Sequence, residues 1–357
     1  MKKIVTLLVI LSMIMVLAAC GTAPAASAPA AEPAAEQAAP VEEAAFDWAT
    51  ADPITIKFAH GYAGGELACE FVDQWMANVT EKSQGKITWD YFPGGSMGSI
   101  TELIEQTDLG AIDCTLTDTS QLENFCDEYA VLFYPFLIQS YDHQVKVLNS
   151  DIMEKFNNIL TEGSNLYALG YYVNGVRNID TIMKITNLDD CKGVILRVPE
   201  IQVYKDVATL LGMSPVAVSY SEVYTAMSTG VCEGFECPNN SIYPGGFHQV
   251  APYILKSGHM YSSCALEFNK DAWANLPDEA KTLLKEEFAA LTEGHAEKVI
   301  AADDEYYRLY TEEGATVSEW DDPAAVAAVC ESYWLEHAEE VSPVALEIVN
   351  EIIAMRS

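Results

Sequence analysis

The chain alternates between stretches of period two and stretches of period near 3.6, and that alternation predicts most of its architecture. Ile54–His60 (Ile-Thr-Ile-Lys-Phe-Ala-His) is alternating and β-branched, which predicts a strand. Leu67, Phe71, Trp75 and Val79 then recur every fourth residue, predicting an amphipathic helix that stops near Gly85. Lys86–Tyr91 reads as a second strand closed by Pro93-Gly94-Gly95, Glu102–Leu109 as a helix and Ile112–Leu116 as a strand, with a helical turn after Asp118. A second alternating block runs from Leu166 to Ile254, with strands at Tyr167–Val173, Val194–Val198 and Ser214–Val218. From Pro277-Asp278 a long helical stretch, interrupted near Gly294, reaches Tyr310, and about the last 40 residues are helical and acidic. Strands and helices alternating at these lengths imply βαβ units and a mainly parallel sheet. Two such blocks joined by short links predict an α/β fold of two lobes, with a hinge and a central cleft.

The amino terminus has a different texture. Lys2 and Lys3 precede a largely apolar run from Ile4 to Ala19. That run falls short of the roughly 20 residues a bilayer span needs, but it suits the core of an export signal. Leu17-Ala18-Ala19-Cys20-Gly21 resembles the bacterial lipobox, which implies cleavage before Cys20 and acylation of that residue. The following Ala/Pro-rich tract has no large apolar side chain to bury and reads as a tether. An acylated cysteine on a tether predicts a protein outside the cytoplasm, held to the outer face of a membrane.

Composition narrows the classes. The 357 residues carry 53 acidic and 19 basic side chains, a formal net charge of −34, yet half are apolar and 10% aromatic. Disorder is thereby excluded for most of the chain, and nucleic acid is excluded as a partner because Lys and Arg are too sparse to bind phosphates. Charge alone points to a cation binder or to a solvated acidic coat. Besides Cys20 there are eight cysteines: Cys69, Cys114, Cys126, Cys191, Cys232, Cys237, Cys264 and Cys330. No CxxC occurs and the six histidines are scattered, so no zinc site and no cofactor is expected. The thiols are expected to be mostly reduced.

Arginine is the rarest charged residue, and two of the four, Arg177 and Arg197, lie beside strand-like sequence. A guanidinium at the end of an apolar strand needs a partner for its donor fork, and a carboxylate fits that fork. Pro199 ends the second of these strands, which puts Arg197 at a sheet edge, where α/β proteins hold ligands. The partner is either a ligand carboxylate or an internal one, such as Glu222, Glu233 or Glu236.

The stretch Leu211-Gly212-Met213-Ser214-Pro215 through Tyr220-Ser221-Glu222-Val223-Tyr224, followed by Gly230-Val231-Cys232-Glu233-Gly234-Phe235-Glu236, closely resembles one family. It is similar to the extracytoplasmic solute-binding proteins of tripartite ATP-independent periplasmic (TRAP) transporters, the DctP type. Tyr91-Phe92-Pro93-Gly94-Gly95, Gly110-Ala111-Ile112-Asp113, Tyr134-Pro135-Phe136-Leu137, Asn174-Gly175-Val176-Arg177, Leu196-Arg197-Val198-Pro199 and Asn275-Leu276-Pro277 match in order, from about Ile54 to Val341.

The resemblance implies a two-lobed periplasmic-binding-protein-like fold with a long helix spanning both lobes. It divides the chain into a signal peptide (1–19), a tether (20–52), lobe I (53–174 with 263–302), lobe II (175–262 with 303–345) and a C-terminal helical tail (346–357). It implies capture of a small organic carboxylate and delivery to membrane permease subunits driven by a sodium gradient. Arg197 then takes the ligand carboxylate, Arg177 supports that site or the closed hinge, and Tyr220 packs on the ligand. Cys237 stands where the family has Asn before Pro, so the anchor is altered, and Glu200 follows the arginine motif. Asp118 resembles the acidic position of the sialic-acid-binding branch; it is either an acceptor for sugar hydroxyls or a helix cap. His60, at the mouth of the first strand, is a further polar contact or an ordinary strand-end histidine. A sugar acid is therefore favoured over a C4-dicarboxylate. An enzyme is not expected, since no nucleophile elbow, zinc motif or phosphate loop occurs. A monomer is expected, and a sensory lipoprotein of the same fold is the alternative.

Overall fold

The structure, a computed structural model, describes residues 46–356. The export signal, the lipidation site Cys20 and the tether as far as Ala45 lie outside the described residues. Among the described residues nine strands form one mixed sheet: β1 (Ile54–His60), β2 (Ile87–Phe92), β3 (Cys114–Asp118), β4 (Leu166–Thr181), β5 (Ile195–Val198), β6 (Ser214–Ala217), β7 (Gly234–Pro238), β8 (Tyr253–Asn269) and β9 (Thr316–Ser318). Their order is β2-β1-β3-β8-β4-β7-β5-β6, with β9 beside β8.

Both ends of the sheet are parallel, as the alternation predicted: β1 pairs with β2 and β3, and β5 with β6 and β7. The centre departs from the expectation of a mainly parallel sheet. There β3 meets β8, and β4 meets both β7 and β8, all antiparallel. Strands β4 and β8, of 16 and 17 residues, run through both halves. They are mostly buried on both faces, so their sequences lack the alternation that marks a half-exposed strand. The β4–β8 register also shifts at Ala168/Gly170, Val173/Gly175 and Arg177/Ile179. Such irregularities turn side chains and commonly adjoin functional sites.

The helix Leu67–Lys82 buries Phe71, Trp75 and Val79 in one core cluster with Leu284 and Phe288, on the β1–β3 half, while Leu67 packs with Val173 and Val299. Ser99 and Glu102 form a capping box that starts the next helix, Ile100–Asp108. The long carboxy-terminal stretch is two helices, Asp278–Thr292 and His295–Glu312, broken at Gly294, whose φ of 81° suits glycine. The first packs on the β1–β3 half, whereas Tyr310 of the second sits in the core of the β5–β7 half with Phe235 and Phe247. The last helix, Pro343–Ala354, buries Ile348, Val349 and Ile352 in the largest core cluster. The carboxyl ends of β3, β5, β6 and β7 supply side chains to one cleft between the halves, the usual ligand position in α/β sheets.

Candidate functional site

Asp118, Arg177, Arg197, Tyr220 and Cys237 all line this cleft, joined by Tyr62, Asn174, Tyr204 and Ser241. The space they enclose is about 60 Å³.

Arg177, on β4 at a register shift, is 4% exposed. Its Nε and Nη2 fork onto the Glu236 carboxylate, with Nη2–Oε1 at 2.8 Å, and Nη1 donates to Asp118 Oδ2 at 3.3 Å. Tyr204 stacks on the guanidinium, its ring centroid 4.6 Å from Cζ. Burial opposes the charge on both partners, but each charge outweighs it for the other. Arg177 is therefore held well above its ordinary range and Glu236 below its own. The internal ion pair considered for Arg197 thus belongs to Arg177.

Arg197 is equally buried, at 2% exposure, and differently placed. Its Nε donates to the carbonyl of Val218 at 2.8 Å, while Nη1 has no hydrogen-bond partner. No carboxylate reaches it among the ion pairs of the described residues. Burial lowers its pKa. A buried cation with an open donor is a strong anion attractor, because the charge has been dehydrated without compensation.

Asp118 ends β3 and caps the following turn, accepting from Ser120 N–H at 3.0 Å and Ser120 Oγ at 2.6 Å. It also accepts from Ser262 Oγ and Arg177. Cap and cleft residue are both true of it. Tyr220 donates to Glu66 Oε1 at 3.0 Å. Burial pushes the Cys237 thiol up to about 12 despite the nearby arginines, so it is a neutral wall and not a nucleophile.

Residues 58–340 match the family described as bacterial extracellular solute-binding protein, family 7, DctP. The chain belongs to this family. Its members bind solutes outside the cytoplasm for TRAP transport, and it is a binding protein, not an enzyme. A solute-binding protein of Roseobacter denitrificans is 27% identical over 306 residues, 85% of this chain and 93% of that one. The C4-dicarboxylate-binding protein DctB of Bacillus subtilis is 31% identical over 243 residues, 68% of this chain and 69% of its own. A crystal structure of a TRAP periplasmic solute binding protein from Roseobacter denitrificans, with bound L-galactonate, superposes with a TM-score of 0.78 at 26% identity. It covers 84% of this chain and 99% of that one.

In this family 7 protein His60 is not among the residues that line the cleft. Its Nδ1 accepts from Tyr62 N–H at 3.2 Å, and its Nε2 is 2.6 Å from the Tyr91 hydroxyl, which donates to Asp73. Both ring nitrogens are used, and burial lowers it to about 4. Glu200 is exposed at the rim of the cleft. Sequence reasoning missed Tyr204 and Glu66; the first reads in sequence as an ordinary helix residue and the second as an acid just before a helix, and only the fold brings Tyr204 to the cleft and Glu66 against Tyr220 and Ser241. A larger groove, about 830 Å³, lies at the Gly294 break and is lined by Val145, Leu148, Phe288 and Ile300 among others. Size does not make it the site, for the dehydrated cation is in the smaller cleft. Among the described residues no helix is long and apolar enough to cross a membrane, and no group of acids, histidines and cysteines is arranged for a metal ion.

Proposed function

We propose that the cleft captures one hydroxylated organic carboxylate, a sugar acid, and presents it to a sodium-driven TRAP permease. The observation that carries this reading is the open Nη1 of Arg197, a buried guanidinium with no internal carboxylate. The ligand carboxylate takes that donor. Asp118, Asn174 and Ser241 around it suit hydroxyls, and Tyr220 closes one side. Supporting it are the L-galactonate in the Roseobacter denitrificans structure and the match of fold.

The Bacillus subtilis relative makes a C4-dicarboxylate the second reading. Against it, Arg177 is already occupied by Glu236, so a second carboxylate would find no free cation. The tight cleft volume supports a reading in which the lobes, 53–174 with 263–302 and 175–262 with 303–345, part to admit ligand. In the same reading Cys20 is the lipid anchor that keeps the protein near its permease, and 20–52 is the tether.

A thermal-shift panel of galactonate, galacturonate, succinate and amino acids tests it. A bound ligand at 100 times its Kd adds about 2.7 kcal/mol. Stabilisation by sugar acids and not by succinate is expected; the reverse order selects the dicarboxylate reading. A permease gene beside this one supports transport, and a receptor kinase gene there supports sensing.

A further inference from the structure

Glu66 is a buried acid for which ligand capture has no obvious use. It ends the loop between β1 and the helix Leu67–Lys82, on the first half of the sheet, and is 1% exposed. Oε1 accepts from the Ala63 N–H at 2.7 Å and from the Tyr220 hydroxyl at 3.0 Å, and Oε2 lies 2.7 Å from Ser241 Oγ, a hydroxyl that donates to the carboxylate and accepts from the O–H of the neutral acid. Tyr220 follows β6 and Ser241 follows β7, so two of the three bonds cross between the halves. Both far partners line the cleft. Among the ion pairs of the described residues none includes Glu66, and its hydrogen-bond partners are neutral. The groups that face it are Tyr220, Ser241 and Cys237 from the second half, Tyr306 from the helix His295–Glu312, and Cys69 on its own helix.

We propose that Glu66 is a positioning residue that fastens the two halves over a bound organic acid and sets Tyr220 against it, and that it does so as the neutral carboxylic acid, so that closure takes up a proton. This rests on the reading of the cleft as an organic-acid site. The physical case is one of burial. A carboxylate shut away with hydroxyls but no cation is disfavoured, and desolvation lifts Glu66 to about 7 in the closed arrangement. With the halves apart, water reaches it and it returns toward the ordinary carboxylate range. The closed state therefore holds the proton more tightly than the open one. Closure is helped most below the open-state value; that help fades as pH rises to about 7, and above it this group adds no further slope. A neutral Glu66 also takes a negative charge away from beside the bound anion.

Isothermal titration of the full chain with galactonate, galacturonate and succinate, from pH 5 to pH 8 in two buffers of different ionisation heat, tests the proposal. The expected affinity falls by about tenfold or more from pH 5 to pH 7 and then levels off, with a fraction of a proton taken up on binding near pH 6. Glu66→Gln cannot ionise; it is expected to flatten that profile, to abolish the proton uptake and to bind more tightly than wild type at pH 8. A flat wild-type profile, or a Glu66→Gln protein that keeps the wild-type slope, overturns the proposal and leaves the acid site standing. Binding of none of these acids at any pH is the different failure, that of the acid reading. Small-angle scattering of the ligand-free protein then decides the latch. A radius of gyration smaller at pH 5 than at pH 8 in wild type, and equal in Glu66→Gln, supports it, whereas equal radii in wild type overturn it.

Discussion

Arg177 and Arg197 make the informative comparison in this molecule. Both are strand residues, both are almost wholly buried and both line one cleft. Arg177 is saturated: Glu236 takes two of its nitrogens, Asp118 a third, and Tyr204 covers its face. Arg197 has one backbone carbonyl and an open Nη1. Burial is therefore no guide to role. A satisfied buried cation is part of the frame, and an unsatisfied one is waiting for something the chain does not supply.

The comparison breaks most readily at Arg177. Replacing it by Ala leaves Glu236 buried without its guanidinium and with only His259 beside it, and about 3–5 kcal/mol of stability should be lost in urea unfolding; a loss under about 1 kcal/mol would mean the pair is not structural. Arg197→Ala should do the opposite. Affinity for the bound acid should fall by about 2–5 kcal/mol, as when one partner of a buried charge pair is truncated. Unfolding of the ligand-free protein should change by less than about 1 kcal/mol. If that variant unfolds and still binds, the two arginines have been assigned the wrong way round. Cys237→Asn sharpens the contrast by adding a donor beside Arg197; affinity should rise by about 1 kcal/mol, read by titration calorimetry. The smallest effect concerns the formal net charge of −34. Because like charge repels the anion at long range, association measured by stopped flow should speed up modestly as salt screens it. Slowing by salt would show that the field of Arg197 reaches beyond the cleft.

Much of the fold is legible in the sequence. The period-two and period-four runs located β1, the helix Leu67–Lys82 and the break at Gly294, because each is half-exposed or marked by glycine. The centre of the sheet was not legible. Strands β4 and β8 are buried on both faces; the first half of β4 reads in sequence as the strand Tyr167–Val173, but Gly175 and Gly258 look like places where a strand stops. In the site, the rarity of arginine singled out the right two residues, but sequence carries no record of which one has found a carboxylate. Glu66 was hidden for a similar reason. An acid just before an apolar helix is commonplace, and its value comes from Tyr220 and Ser241, more than 150 residues away.

All eight cysteines of the described residues are buried and unpaired within the cores, and Cys237 also lines the cleft. Among the described residues no covalent cross-link therefore narrows the unfolded ensemble. Outside the cytoplasm this exposes the chain to a particular hazard. Once unfolded in the presence of an oxidant, the eight thiols have roughly a hundred full pairings open to them and no native one to return to. Each excursion risks being final, so the lifetime of the protein is set by how seldom it opens and not by how favourable folding is at equilibrium. Its persistence is a matter of rate, and the height of the unfolding barrier is what preserves the thiols.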